Sequence, residues 1–206
     1  MARIANYKGD PEELLNDGMS GVITYIFGTD RKRVMTRTEF IRLQRELIQD
    51  VLYLEFLRYT TDDSKQTISE IDFCNHLLYD SSMPSKKKSK MLKRVEKAFK
   101  NSPGVTFDEF KNFYYVLFGG SDLERAMFFL DSEKNGVTSE EFCNIAKWVA
   151  NRGISEHIVD VIFTLLDEDG DKHLSVEEFQ PVLFQWRHTR GFQKASLQVK
   201  LGHLKI

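Results

Sequence analysis

This sequence has little of most things that would mark a protein's trade. Two cysteines, Cys74 and Cys143, stand in 206 residues. That is too few for a disulfide scaffold or a thiolate zinc site, so they read as buried or free thiols. Charge of one sign is not in excess: 29 Lys and Arg meet 31 Asp and Glu, for a formal charge of −2. A general nucleic-acid binder carries a strongly basic face, and that class is excluded. No apolar run approaches the ~20 residues that span a bilayer. The longest, Gly21 to Phe27 and His157 to Leu166, are short, and the second contains Asp160. The N-terminus carries Asp10, Glu12 and Glu13, unlike a secretory signal or an Arg-rich transit peptide, so a targeting segment is expected to lie outside this chain. Nucleophile motifs, phosphate-binding glycine loops and His-rich metal spacings are missing too, which points away from an enzyme. With 41% hydrophobic and 29% charged residues, the chain reads as an ordinary folded globule of one large domain or two small lobes.

What is plentiful is phenylalanine, 16 residues beside 7 Tyr and 2 Trp. Five of the 16 close the same pattern: apolar, Ser or Thr, two residues, Asp or Glu, Phe. The copies are Met35-Thr36-x-x-Glu39-Phe40, Ile68-Ser69-x-x-Asp72-Phe73, Val105-Thr106-x-x-Glu109-Phe110, Val137-Thr138-x-x-Glu141-Phe142 and Leu174-Ser175-x-x-Glu178-Phe179. Locally this is a helix start, with a capping box between the Ser or Thr and the acid and a hydrophobic staple onto the Phe. Between copies run amphipathic stretches, such as Ile41, Ile48, Leu52 and Phe56, or Val159, Ile162, Phe163 and Leu166. Each unit is therefore helix, short loop, capped helix in about 30 residues, the anatomy of an EF-hand, whose twelfth loop residue is an acid that holds calcium. The expected fold is all-α, EF-hand repeats in paired lobes with two-residue β contacts between paired loops.

Only the loop ahead of each cap can tell whether a metal binds. The fifth, Asp167 to Glu178, places carboxylates at positions 1, 3, 5 and 12: Asp167, Asp169, Asp171 and Glu178. His173 would offer its backbone carbonyl at position 7 and Ser175 a hydroxyl or bridging water at 9, an oxygen set suited to Ca2+. Lys172 stands at position 6, where Gly normally permits a positive φ. The first loop, Gly28 to Glu39, has no side-chain ligand at position 1 and Lys32 at 5. The second, Thr61 to Asp72, has Thr61 and Lys65 at 1 and 5 and ends on the short Asp72. The third is replaced by the turn Lys100-Asn101-Ser102-Pro103-Gly104. The fourth is the near miss: Asp131, Glu133, Asn135 and Gly136 match sites 1, 3, 5 and 6, but one residue is missing and Glu141 arrives at position 11.

The five Phe are 33, 37, 32 and 37 residues apart. The two 37-residue gaps are expected to lie within pairs, joining Phe73 with Phe110 and Phe142 with Phe179 and leaving the first unit to pair upstream or with another molecule. The expected segments are an N-terminal stretch 1–20, an unpaired degenerate hand 21–58, a degenerate pair 59–120, a C-terminal lobe 121–190 with one calcium site, and a basic tail 191–206. A cytosolic five-hand protein of the calpain small-subunit kind is the alternative; there Phe40 pairs with Phe73, and the last unit lacks a partner.

Taken together, the chain resembles the mitochondrial calcium uptake proteins, EF-hand gatekeepers of the calcium uniporter, over about residues 18 to 192. The likeness rests on Thr24-Tyr25-Ile26-Phe27-Gly28, Asp50-Val51-Leu52-Tyr53-Leu54-Glu55-Phe56, Gly104-Val105-Thr106-Phe107-Asp108-Glu109 and Ile154-Ser155-Glu156-His157-Ile158-Val159-Asp160-Val161-Ile162-Phe163. It implies that Asp167 to Glu178 is the C-terminal of the family's two working hands, with no counterpart here of the N-terminal one or of the basic pore-contacting region. It also implies a uniporter pore complex and an identical or paralogous EF-hand subunit as partners. The expected location is the intermembrane space, peripheral on the inner membrane. Three segments stand outside that reading. Lys86, Lys87, Lys88, Lys90, Lys93, Arg94, Lys97 and Lys100 against Glu96 read as the solvated face of a helix whose apolar side is Met91, Val95 and Phe99. The tail from Arg187 to Ile206, with Leu197, Leu201 and Leu204 at helical spacing and no acid, offers itself to a partner or an anionic membrane. Pro181 is expected to disrupt the helix leaving the calcium loop.

Overall fold

All five Ser/Thr-x-x-acid motifs start helices in the computed structural model, which describes residues 24, 26–28, 30, 32–60, 66–79, 81, 83–134 and 136–189. The elements in order are α1 (Arg37–Leu57), β1 (Thr67–Ile68), α2 (Glu70–Leu78), α3 (Ser85–Ala98), β2 (Val105–Thr106), α4 (Phe107–Phe118), α5 (Gly120–Lys134), α6 (Ser139–Ala150), α7 (Glu156–Leu166) and α8 (Val176–Thr189). Thr106 and Thr138 head complete capping boxes with Glu109 and Glu141. Thr36 with Glu39 and Ser175 with Glu178 exchange the same two bonds. Each such cap contributes about 1 kcal/mol to its helix. At Ser69 only half the box closes. The Asp72 amide donates to Ser69 Oγ at 3.1 Å. The Asp72 carboxylate, one methylene shorter than a glutamate, takes the Ser69 hydroxyl instead of its amide.

The chain divides into two compact units, Met1–Leu54 and Glu55–Ile206. In the second unit the loops pair as the Phe spacing predicts. β1 and β2 run antiparallel with Thr67 opposite Thr106 and Ile68 opposite Val105. Val137 and Leu174 form an isolated antiparallel bridge, exchanging bonds of 3.0 and 2.8 Å. The ruler residues meet behind those bridges: Phe73 stands edge-on to Phe110 at 6.0 Å, and Phe142 to Phe179 at 5.6 Å. All four are fully buried, as are Phe113, Tyr114, Val105, Val137, Ile158 and Leu165. Burying a Phe contributes about 2–3 kcal/mol, so the repeated Phe is the core. In the first unit the fifth ruler, Phe40, is half exposed.

A glycine precedes each bridging valine, and each is there because a backbone passes close by. A Cβ on Gly104 (φ +85°) would lie 2.7 Å from the Ile68 carbonyl oxygen; one on Gly136 (φ +119°) would lie 3.1 Å from atoms of His173, Leu174 and Ser175. Buried His76 turns its ring nitrogens to the Tyr114 hydroxyl and, at 3.3 Å, to Glu55, a structural role. Cys74 is fully buried, which pushes its thiol up, and Cys143 is half-buried.

Two expectations are corrected here. Pro181 lies inside α8, and the helix runs on to Thr189; the apolar packing of Phe179, Val182 and Leu183, all buried on either side of it, offsets the one amide donor that proline lacks. The fourth loop does not form as a loop at its first positions, because α5 continues through Asp131 to Lys134. With a residue missing, two residues separate the end of α5 from the Val137 bridge. The lysine-rich helix α3 keeps its expected apolar side on buried Met91 and Val95, but two of its cations do not face solvent alone, as described next. Residues 1–23 and the tail beyond Thr189, including Leu197, Leu201 and Leu204, lie outside the described residues.

Candidate metal centre

α7 ends at Asp167, whose amide closes on the Phe163 carbonyl at 2.9 Å, and the chain then folds back on its own carboxylates. Asp167 Oδ1 accepts the Gly170 amide at 2.7 Å and Oδ2 the Lys172 amide at 3.1 Å. Asp169 accepts from the Asp171 amide at 3.1 Å, and Asp171 from the His173 amide at 2.7 Å. Gly170 and Lys172 take the left-handed conformation, φ +80° and +65°, so position 6 has the backbone that a calcium loop needs despite its lysine. The result brings one carboxylate oxygen each from Asp167, Asp169 and Asp171 within 4.8 Å of one another. Three carboxylates so close concentrate negative charge at one place in the loop. All the converging donors are carboxylate oxygens, the set preferred by a hard divalent cation.

The other three sequence-assigned residues stand beside that cluster. Glu178 reaches across from the first turn of α8. Its Oε1 accepts the Glu168 amide at 2.8 Å, and its Oε2 accepts the Ser175 amide and hydroxyl at 3.1 and 3.0 Å. Ser175 thus serves Glu178 rather than the aspartates. His173 turns its ring along the loop, Nδ1 lying 3.0 Å from the Asp171 carbonyl oxygen. Three of the six assigned residues converge, and Glu178 ties the far end of the loop back to its start.

The residues that hold the loop from outside are ones that sequence reasoning passed over. Arg94 of α3 donates to the carbonyls of Asp167 at 2.6 Å and Leu165 at 2.7 Å, serving acceptors left open at a helix C-terminus and placing a positive charge on the negative end of its dipole. Lys87, one of the same basic run, pairs with Glu168. At the other end of α7, the cap Ser155 donates its hydroxyl to Glu109 Oε1 at 2.7 Å. His157 lies 3.0 Å from Glu70 and 3.5 Å from Glu109. Nothing local in the sequence signals these contacts, since the partners are 46 to 87 residues apart.

The acids that close the first, second and third loops are held by neighbouring groups. Arg33 donates to Glu39 at 2.9 Å; the Thr36 amide, then the Thr36 hydroxyl and Arg33, hold Glu39 down at about 2. Asp72 is taken by Ser69, and Glu109 by Thr106 and Ser155.

No protein-family model matches the chain. It is 38% identical over 175 residues to calcium uptake protein 1, mitochondrial, of Ailuropoda melanoleuca, an alignment covering 85% of this chain and 36% of the relative. Among solved structures, that of EFHA2 in a Ca-binding state superposes with a TM-score of 0.70 at 29% identity, over 77% of this chain and 51% of the other. The apo structure of the mitochondrial calcium uniporter protein MICU2 shares the fold, with a TM-score of 0.70 at 24% identity over 85% of this chain and 54% of the other. The chain thus spans about a third of the length of the curated relatives it matches. Over that shared segment, the chain is a relative of the mitochondrial calcium uptake proteins and has the EF-hand fold.

Proposed function

We propose that this chain is a non-catalytic, calcium-sensing regulatory part of a gatekeeper subunit that controls mitochondrial calcium uptake through the uniporter channel. Asp167, Asp169 and Asp171 would hold Ca2+ by their side chains, His173 by its backbone carbonyl, Ser175 by its hydroxyl or a water, and Glu178 by both carboxylate oxygens. The observation that carries the reading is the convergence of three carboxylates in the fifth loop alone among the described residues, in a loop closed by a glutamate. To serve as a bidentate ligand, Glu178 has to exchange the Glu168 amide for the cation, and α8 carries Glu178. A helix reoriented in that way is what partner subunits would read.

Lys172 at position 6 already has the left-handed backbone, φ +65°, so its strain is a cost of folding; its positive charge opposes the cation, and the affinity is placed at about micromolar or above. The proposed partners are the pore complex and an identical or paralogous EF-hand subunit; exposed Phe128 and Trp148 are side chains of the kind that anchor interfaces. The proposed location is the intermembrane space, on the inner membrane. The relatives are named mitochondrial, and no helix among the described residues is long and apolar enough to cross a membrane. The calpain-like alternative is disfavoured by the pairing of the second loop with the third and the fourth with the fifth.

Calorimetric calcium titration tests this, with light scattering for the dimer. One site is expected, abolished in Glu178→Ala. Two sites of similar affinity, or one that survives the substitution, would overturn the assignment, and failure of the full-length protein to co-purify with the pore complex would overturn the uniporter role.

A further inference from the structure

We infer that Arg94 and Glu109, residues of hands that have lost their own metal, are positioning residues for the calcium loop: they hold α7 at both ends, so that the response to calcium falls on α8. The inference rests on the calcium-sensing reading and deepens it.

α7 has eleven residues, about 16 Å of helix. Its N-terminus is fixed by Ser155 on Glu109 and by His157 on Glu70 and Glu109. Its C-terminus is fixed by the two-pronged Arg94 on the Leu165 and Asp167 carbonyls, one of which belongs to the first residue of the loop. Between the ends, Ile158, Val159, Val161, Ile162, Leu165 and Leu166 are buried. None of the anchoring side chains is itself a proposed ligand. All come from α2, α3 and α4, the helices of the second and third hands. The anchors are directional hydrogen bonds involving charged groups, stronger than neutral ones and steeply dependent on geometry.

α8 is attached differently. Its first turn is tied to the loop through Glu178, the very contact that ligation would exchange. Beyond that turn Phe179, Val182 and Leu183 hold it by apolar burial, which is non-directional and tolerates sliding. Among the described side chains, α8 beyond its first turn has no directional anchor, and of two helices flanking a contracting loop the less firmly anchored one moves. Fixing Asp167 beforehand also removes ordering that binding would otherwise have to supply, so the anchors favour calcium affinity.

Two variants separate this from a general effect on folding. Arg94→Lys keeps the positive charge near the cation but cannot fork two carbonyls. Ser155→Asp keeps a good N-cap for α7 and sets a like charge against Glu109. Loss of about one charge-assisted bond predicts calcium binding at least about tenfold weaker in each. Hydrogen exchange of the unsubstituted protein with and without calcium should change in the amides of α8 and stay constant in α7, a measurement that needs no variant to fold. Absence of calcium binding by the unsubstituted protein would sink the calcium reading itself. Binding that stays within twofold in both variants, or a calcium-dependent change in α7 as large as in α8, would overturn the positioning role and leave that reading intact.

Discussion

Glu109, the acid that closes the third loop, is held by groups of its own chain. Burial pushes its pKa up, but the Thr106 amide, the Ser155 hydroxyl, the Thr106 hydroxyl and the field of His157 outweigh burial and leave it below the ordinary 4.5. A carboxyl depressed by folding stabilises the fold above its unfolded pKa, and that contribution is lost as pH falls through the folded value. Thermal melts should therefore fall progressively below about pH 4.5, and Glu109→Gln should flatten part of that fall while lowering the melting temperature at neutral pH. A Gln variant with an unchanged acid profile would show that Glu109 carries none of it. Glu39 is depressed further, to about 2, but sits on the surface, where screening leaves it little weight in stability.

At the scale of elements, the helix starts could be read in the sequence because a capping box is a four-residue device with local chemistry. The pairing could be read because the Phe that closes each box lies behind its loop, so spacing along the chain reports which rings meet. Three things could not be read. Arg94 looked like one more cation on a solvated face, because its targets are backbone carbonyls 71 and 73 residues away and carry no sequence label. Asp131 and Glu133 match loop positions 1 and 3 of a twelve-residue template that the fourth unit does not fill, and they lie in α5 instead. Pro181 was judged by the bond it removes without the burial around it. Gly136, assigned at first as a loop position, is a contact: its missing side chain lets the fourth loop lie against His173, Leu174 and Ser175. Gly136→Ala should lower stability by at least about 1 kcal/mol, since the left-handed backbone and the close approach both oppose a methyl group. It should also weaken calcium binding in the neighbouring loop. Equal calcium affinity in a destabilised variant would uncouple the two loops.

At the scale of the molecule, a ligand that binds only the native state stabilises it by mass action, about 2.7 kcal/mol at a hundredfold excess over Kd. The melting temperature should thus rise by several degrees on adding calcium and return on chelation, with Glu178→Ala melting alike in both. The near-neutral net charge of −2 agrees with a frame of five hands in which one loop gathers carboxylates for a cation.

The Arg33 guanidinium on Glu39 has a consequence for the shape of the response. It sets a positive charge against the closing acid of the first loop, where a cation would otherwise sit. A segment in which the fifth loop alone responds is expected to titrate with a Hill coefficient of one, and steeper calcium binding would report coupling to a second site.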